Sequence, residues 1–130
     1  MTEESVPARV LVVEDDDNIA TALEYVIERE GMAFERVSNG AEAMARIRDG
    51  RPNLVLLDIM LPEVSGYDIC RDIRTDPGLV DVRVLMMTAR GSSTEQKRVL
   101  ALGADGFISK PFDLKFLRTE VRRLLEGAAG

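Results

Sequence analysis

Apolar positions along this chain follow two alternating periods. Five short runs have β character: "RVLVVE" at 9–14, "AFERV" at 33–37, "NLVLLD" at 53–58, "VRVLMMT" at 82–88 and "DGFIS" at 105–109. The stretches "VLVV" and "LVLL" are apolar on both faces, as central parallel strands covered by helices require. Between the runs, apolar residues recur every three or four positions. Ile19, Leu23, Val26 and Ile27 predict a first helix that stops at Gly31. Met44 and Ile47 mark a second, after Asn39-Gly40. Ile69 and Ile73, with Cys70 beside them, mark a third that begins near Ser65. A capping-box pattern, Ser92-x-x-Glu95, opens a fourth that carries Val99 and Leu102. Asp113 then caps a fifth, with Leu114, Leu117, Val121 and Leu124 on one stripe. Five strands alternating with five helices imply right-handed crossovers and an α/β fold, a parallel sheet with helices on both faces.

Composition narrows the function without choosing it. The 130 residues suit one domain, and a 45% hydrophobic content is enough for a core. Residues 1–8 and 127–130 read as flexible tails around an ordered unit at 9–126. A net charge of −6 with scattered basic residues argues against direct nucleic-acid binding. A single cysteine, Cys70, excludes an intramolecular disulfide and fits a reducing cytoplasm. The acidic N-terminal segment lacks the pattern of a secretory leader, and no apolar run reaches membrane-spanning length. With no histidine, the commonest acid–base catalyst is missing, so any chemistry falls to carboxylates, hydroxyls, lysine or a metal.

In an open parallel sheet, ligands bind beyond the carboxyl ends of the strands. Glu14 and Asp15 follow the first strand, Asp58 ends the third, Thr88 the fourth, and Lys110 follows the fifth. The second ends in Ser38-Asn39, without a charge. Crowded carboxylates suit a hard divalent cation such as Mg2+, which takes oxygen ligands and keeps several waters. A carboxylate can also attack phosphorus and form an aspartyl-phosphate, provided that positive charge offsets the meeting of two anions. Lys110 supplies such charge, and Thr88 can donate to a phosphoryl oxygen. Most of these residues also have an ordinary reading; Asp58 is harder to dismiss, because it ends an apolar run and is followed by the turn Ile59-Met60-Leu61-Pro62 rather than a charged helix start. Asp16 and Asp17 fit helix capping and the helix dipole, Asp15 fits either role, Thr88 fits a strand-end hydroxyl, and Lys110 fits a surface amine. Their joint placement carries the inference.

The fragments "VLVVEDD", "LVLLDIMLPEVSGYD", "MMTAR" and "GADGFISKPF", in this order and spacing, strongly resemble the receiver domain of bacterial two-component response regulators. The resemblance implies a flavodoxin-like, doubly wound (βα)5 three-layer sandwich with strand order 2-1-3-4-5. It implies that Asp58 is the phosphoacceptor, charged by a histidine kinase or phosphotransfer protein, with self-catalysed phosphorylation and slow autodephosphorylation rather than enzymatic turnover. Asp15, Asp58 and the backbone carbonyl of Met60 match the Mg2+ ligands, with Glu14 acting through water. Thr88 and Lys110 match the phosphoryl-binding pair, and Lys110-Pro111 matches a cis peptide bond. Thr88 and Phe107 match the switch pair that repacks the face built from the fourth helix, fifth strand and fifth helix. Phe107 stands where many relatives have tyrosine, and it fits a plain core aromatic equally. Met60 and Arg90 occupy the positions that tune phosphoryl lifetime. Gly106, Phe116 and Glu120 depart from the ion-pairing pattern by which transcription-factor relatives dimerise on that face. Leu100 and Phe116, off their helices' apolar stripes, mark a possible partner patch. The output partner and the oligomeric state stay open.

Three rivals fit less well. A haloacid-dehalogenase-like phosphohydrolase needs a second aspartate where Met60 stands. A flavodoxin-like electron carrier needs a phosphate loop after the first strand, where this chain has carboxylates. A degenerate receiver that binds without phosphorylation is expected to have lost Asp58, Lys110 or the acids, all of which are present.

Overall fold

The structure is a computed structural model that describes residues 7–89 and 91–129. Arg90 and residues 1–6, the greater part of the expected N-terminal tail, lie outside the described residues. Five strands, β1 (Arg9–Val13), β2 (Ala33–Val37), β3 (Leu54–Asp58), β4 (Arg83–Thr88) and β5 (Gly106–Ser109), alternate with five helices. These are α1 (Asp17–Arg29), α2 (Gly40–Gly50), α3 (Gly66–Thr75), α4 (Ser93–Ala101) and α5 (Leu114–Ala129). α5 runs past Glu126, where the sequence placed its end, and a 3-10 turn at Pro77–Leu79 precedes β4.

The strands form one parallel sheet in the order β2-β1-β3-β4-β5, the doubly wound flavodoxin-like arrangement. Strand periodicity divides the core. Val10, Val12, Leu54, Leu56, Leu85 and Met87 pack against α1 and α5, on a core that includes Leu23, Ile27, Leu117 and Val121. Leu11, Val13, Val55, Leu57, Val84 and Met86 face the other way, toward Ile47, Ile69, Ile73 and Val99 of α2, α3 and α4. β3 is buried along its whole length, as the unbroken "LVLL" requires. Each such leucine contributes roughly 1.5–3 kcal/mol through burial. Cys70 is part of this core, and burial pushes its thiol up to about 11, so it is a packing residue rather than a nucleophile.

The stripe read for α5 needs one correction. Leu117, Val121 and Leu124 are buried, but Leu114, at the first position of α5, is exposed. Ile19 is likewise only half-buried. The register then fixes where the polar strand ends emerge. Val13 lies opposite Val37 and Leu57, Asp58 opposite Met87, and Thr88 opposite Ser109. Glu14, Asp58, Thr88 and Lys110 therefore come out on one rim.

Candidate functional site

The β1–α1 junction is built around its acids. Asp16 caps α1, accepting from the backbone N–H groups of Asn18 at 2.8 Å and Ile19 at 3.1 Å. Asp17 begins the helix, where negative charge meets the dipole. These two acids face solvent and leave Glu14 and Asp15 for the rim. Arg36, from the edge strand β2, ties the junction down. Its guanidinium donates to the Glu14 carbonyl at 2.9 and 3.0 Å and to Asp17 Oδ1 at 2.8 Å. β2 thus contributes a cation to the rim although its own end carries none.

Asp58 is held as tightly. It is 3% exposed, and Oδ1 accepts from the Met60 N–H at 3.2 Å. The following loop turns back so that the Gly66 N–H donates to the Ile59 carbonyl at 3.0 Å. A side chain at position 66 cannot fit this approach: a Cβ there would lie 2.3 Å from the Asp58 carbonyl oxygen and 2.7 Å from Ile59 Cα. Gly66→Ala is expected to cost about 2 kcal/mol of stability through this backbone clash, read by urea unfolding. An unchanged midpoint would show that the α3 start tolerates displacement.

Lys110 joins the two buried acids. Its ammonium lies 2.9 Å from Glu14 Oε1 and 3.2 Å from Asp58 Oδ1. Glu14 is 1% exposed, and its other oxygen accepts from the Asp16 N–H at 3.1 Å. Burial pushes the Glu14 carboxyl above the usual range, with Lys110 pulling the other way. Burial also works against the Lys110 charge, but the hydrogen bond to Glu14 and the charge of Asp58 hold its pKa above the ordinary lysine value. The lysine therefore stays cationic and offsets the carboxylates. The Lys110–Pro111 peptide bond is cis.

One oxygen each from Glu14, Asp15 and Asp58 lies within 4.8 Å of the others. Three hard oxygen donors at this spacing, one exposed and two buried, suit a hard divalent cation that retains part of its water shell. Met60, whose N–H donates to Asp58 beside this cluster, has a side chain that is 73% exposed.

Thr88 ends β4 and is 2% exposed, but its hydroxyl donates to Glu95 of α4, in a contact the capping reading did not contain. Ser92 does cap α4, accepting the Glu95 N–H at 3.1 Å. The Glu95 carboxylate does not turn back to complete the box. It accepts from Thr88 and, at 2.7 Å, from the Tyr67 hydroxyl of α3. Phe107 is half-buried and packs on the α2–α4 side of the sheet. Leu100 and Phe116 are exposed on α4 and α5. Sequence reasoning missed Arg36, Gly66, Tyr67 and Glu95. The "SGYD" run marked a helix start and part of the receiver-like pattern without pointing to Gly66 or Tyr67 individually, and Glu95 matched a capping box.

A family model for the response regulator receiver domain matches residues 10–122. The phosphate regulon transcriptional regulatory protein PhoB of Rhizobium meliloti is 38% identical over 120 residues, covering 92% of this chain and 53% of its own length. The DNA-binding response regulator MtrA of Mycobacterium tuberculosis (strain ATCC 25618 / H37Rv) is 41% identical over 117 residues, with 90% and 50% covered. This chain thus spans about half the length of the curated relatives it matches. Among solved structures, a CheY-like response regulator receiver domain protein from Methanospirillum hungatei JF-1 superimposes with a TM-score of 0.85. It is 28% identical, with 95% of this chain and 98% of that one covered. The rim acids, the lysine between them and a match that spans nearly all of the described fold lead to one assignment: this chain belongs to the response regulator receiver domain family.

Proposed function

We propose that this domain, at 9–126, accepts a phosphoryl group on Asp58 from the phosphohistidine of a partner histidine kinase or phosphotransfer protein. The observation that carries the reading is the Lys110 ammonium 3.2 Å from a buried Asp58 carboxylate, on the rim where Glu14 and Asp15 converge. In the transfer, an Asp58 oxygen forms a bond to phosphorus as the phosphorus–nitrogen bond of the donor breaks, and the leaving imidazole takes up a proton. Asp58 is oriented by the Met60 N–H, and Lys110 offsets the negative charge that gathers on the phosphoryl oxygens. Thr88 donates to one of those oxygens once it is released from Glu95.

Asp15, Asp58 and the Met60 carbonyl are the residues to hold Mg2+, with Glu14 contributing through water. The ion supplies positive charge where anionic nucleophile and phosphoryl group meet. The same groups make phosphorylation from a small donor self-catalysed and autodephosphorylation slow, with Met60 and Arg90 setting the lifetime. Repacking around Thr88 and Phe107 would alter the face formed by α4, β5 and α5, where exposed Leu100 and Phe116 offer a surface to the output partner. A net charge of −6 supports control through a protein partner rather than direct contact with nucleic acid. No described helix is long and apolar enough to cross a membrane, and the cytoplasm is the compartment that fits a kinase-fed receiver with one buried thiol.

The linkage chemistry tests the reading. After incubation with Mg2+ and phosphoramidate, the incorporated phosphate is expected to be released by hydroxylamine, as an acyl phosphate is. A label that survives hydroxylamine would place the phosphate on a hydroxyl and contradict the proposal.

A further inference from the structure

Glu95 makes two contacts that neither helix capping nor phosphoryl chemistry at Asp58 requires. Ser92 fixes its backbone at the start of α4, and its carboxylate then enters the seam between β4, α4 and α3. Oε1 accepts the Thr88 hydroxyl and Oε2 the Tyr67 hydroxyl. Glu95 is half-buried while its neighbours in that turn are exposed. Arg98, almost one turn along α4, lays its guanidinium 3.9 Å from the centre of the Tyr67 ring and covers the network from outside. Burial and the adjacent Glu95 carboxylate push the Tyr67 hydroxyl above its usual range, which keeps its donating proton in place.

We infer that Glu95 is a latch on the Thr88 switch: a positioning residue, itself held by Tyr67, that keeps the Thr88 hydroxyl on α4 until a phosphoryl group competes for it. The inference rests on the reading of Asp58 as phosphoacceptor. A threonine hydroxyl has one proton and serves one acceptor at a time. Its bond to a carboxylate is charge-assisted, and Thr88 is buried where solvent cannot substitute freely. Occupation of the phosphoryl site must therefore displace Thr88 from Glu95. The strength of the latch sets how far the resting protein lies from the active arrangement. Release also leaves Glu95 with Tyr67 alone, so the change reaches the α3–α4 seam. Phe107, which has no hydroxyl, could not relay it by hydrogen bonding.

Beryllofluoride mimics a phosphoryl group on a carboxylate and serves as the probe, at saturating Mg2+, with the apparent Kd read by 19F NMR. Glu95→Ala is expected to tighten binding about tenfold, within the usual range of coupling between two states. The same substitution lowers the melting temperature of the free protein, because a resting contact is lost. These opposite signs separate a latch from a structural role, in which both would worsen. Glu95→Gln, which keeps an acceptor oxygen, falls between native and alanine. Tyr67→Phe tightens binding by about threefold without touching Thr88. In a Thr88→Ala background, Glu95→Ala gains nothing. Unchanged or weaker binding by folded Glu95→Ala and Tyr67→Phe overturns the latch alone, and so does an equal gain in the Thr88→Ala background. A native protein that binds no beryllofluoride overturns the phosphoacceptor reading and the latch with it.

Discussion

Lys110→Met will destabilise the metal-free protein by about 2 kcal/mol and slow phosphoryl uptake by roughly 100-fold. The substitution keeps most of the side-chain length and removes only the ammonium that stands between Glu14 and Asp58. Both carboxylates stay buried, and breaking such a pair leaves uncompensated charge. The cost is set below that of a fully enclosed pair because Lys110 itself is partly exposed and solvent screens part of the interaction. The deficit will be smaller near pH 5 than near pH 8, since a buried carboxyl without its cation can take up a proton at the lower pH. Urea unfolding in chelator at the two pH values measures this directly. Equal stability of native and variant at both would remove Lys110 from the electrostatics of the site.

Mg2+ will raise the melting temperature by about 8 °C at one hundred times its Kd, and Asp15→Asn will remove most of that rise. A ligand that binds only the folded state at this excess contributes about 2.7 kcal/mol, and a domain of this size shifts by roughly 3 °C per kcal/mol. Asp15 is the acid to substitute because it is exposed and outside the Lys110 ion pairs. Its replacement is therefore expected to leave the metal-free protein close to native stability, so the lost response reports metal binding rather than damage. Thermal scans with chelator, Mg2+ and an equal ionic strength of NaCl separate the specific effect from screening. An equal Mg2+ response in both proteins would contradict the assigned ligand.

The rim was legible from sequence because each of its groups ends or directly follows an apolar strand run, so strand pairing alone brings them together. Glu14, Asp15, Asp58, Thr88 and Lys110 all emerge at the same edge of the sheet. The groups that hold them were not legible. Arg36 lies inside an alternating edge strand, where a long polar side chain normally faces water, and only the register shows that it reaches the Glu14 carbonyl. Glu95 satisfied a local helix rule, and that reading concealed a tertiary contact with Thr88 and Tyr67. Glu63 adopts a left-handed backbone with φ 71 in the β3–α3 loop, where glycine or asparagine would have signalled the turn. Leu114 shares the apolar stripe of α5 yet is exposed at the first position of the helix, and helical periodicity does not report how far along a helix the core extends.

The charge balance also differs from what the acids alone suggested. Four consecutive carboxylates, Glu14 to Asp17, follow the first apolar run, and like charges this close repel. In the structure Asp16 and Asp17 serve α1, and Lys110 offsets Glu14 and Asp58, so the metal-free site is already partly neutralised.

Intact mass is the most direct test of Asp58 as phosphoacceptor. Native protein and Asp58→Asn are incubated with Mg2+ and a small phosphodonor, and each is weighed by mass spectrometry. The native chain is expected to gain the mass of one phosphoryl group while Asp58→Asn gains none. Equal gain by both, or no gain by a native protein shown to be folded and to bind Mg2+, would contradict it.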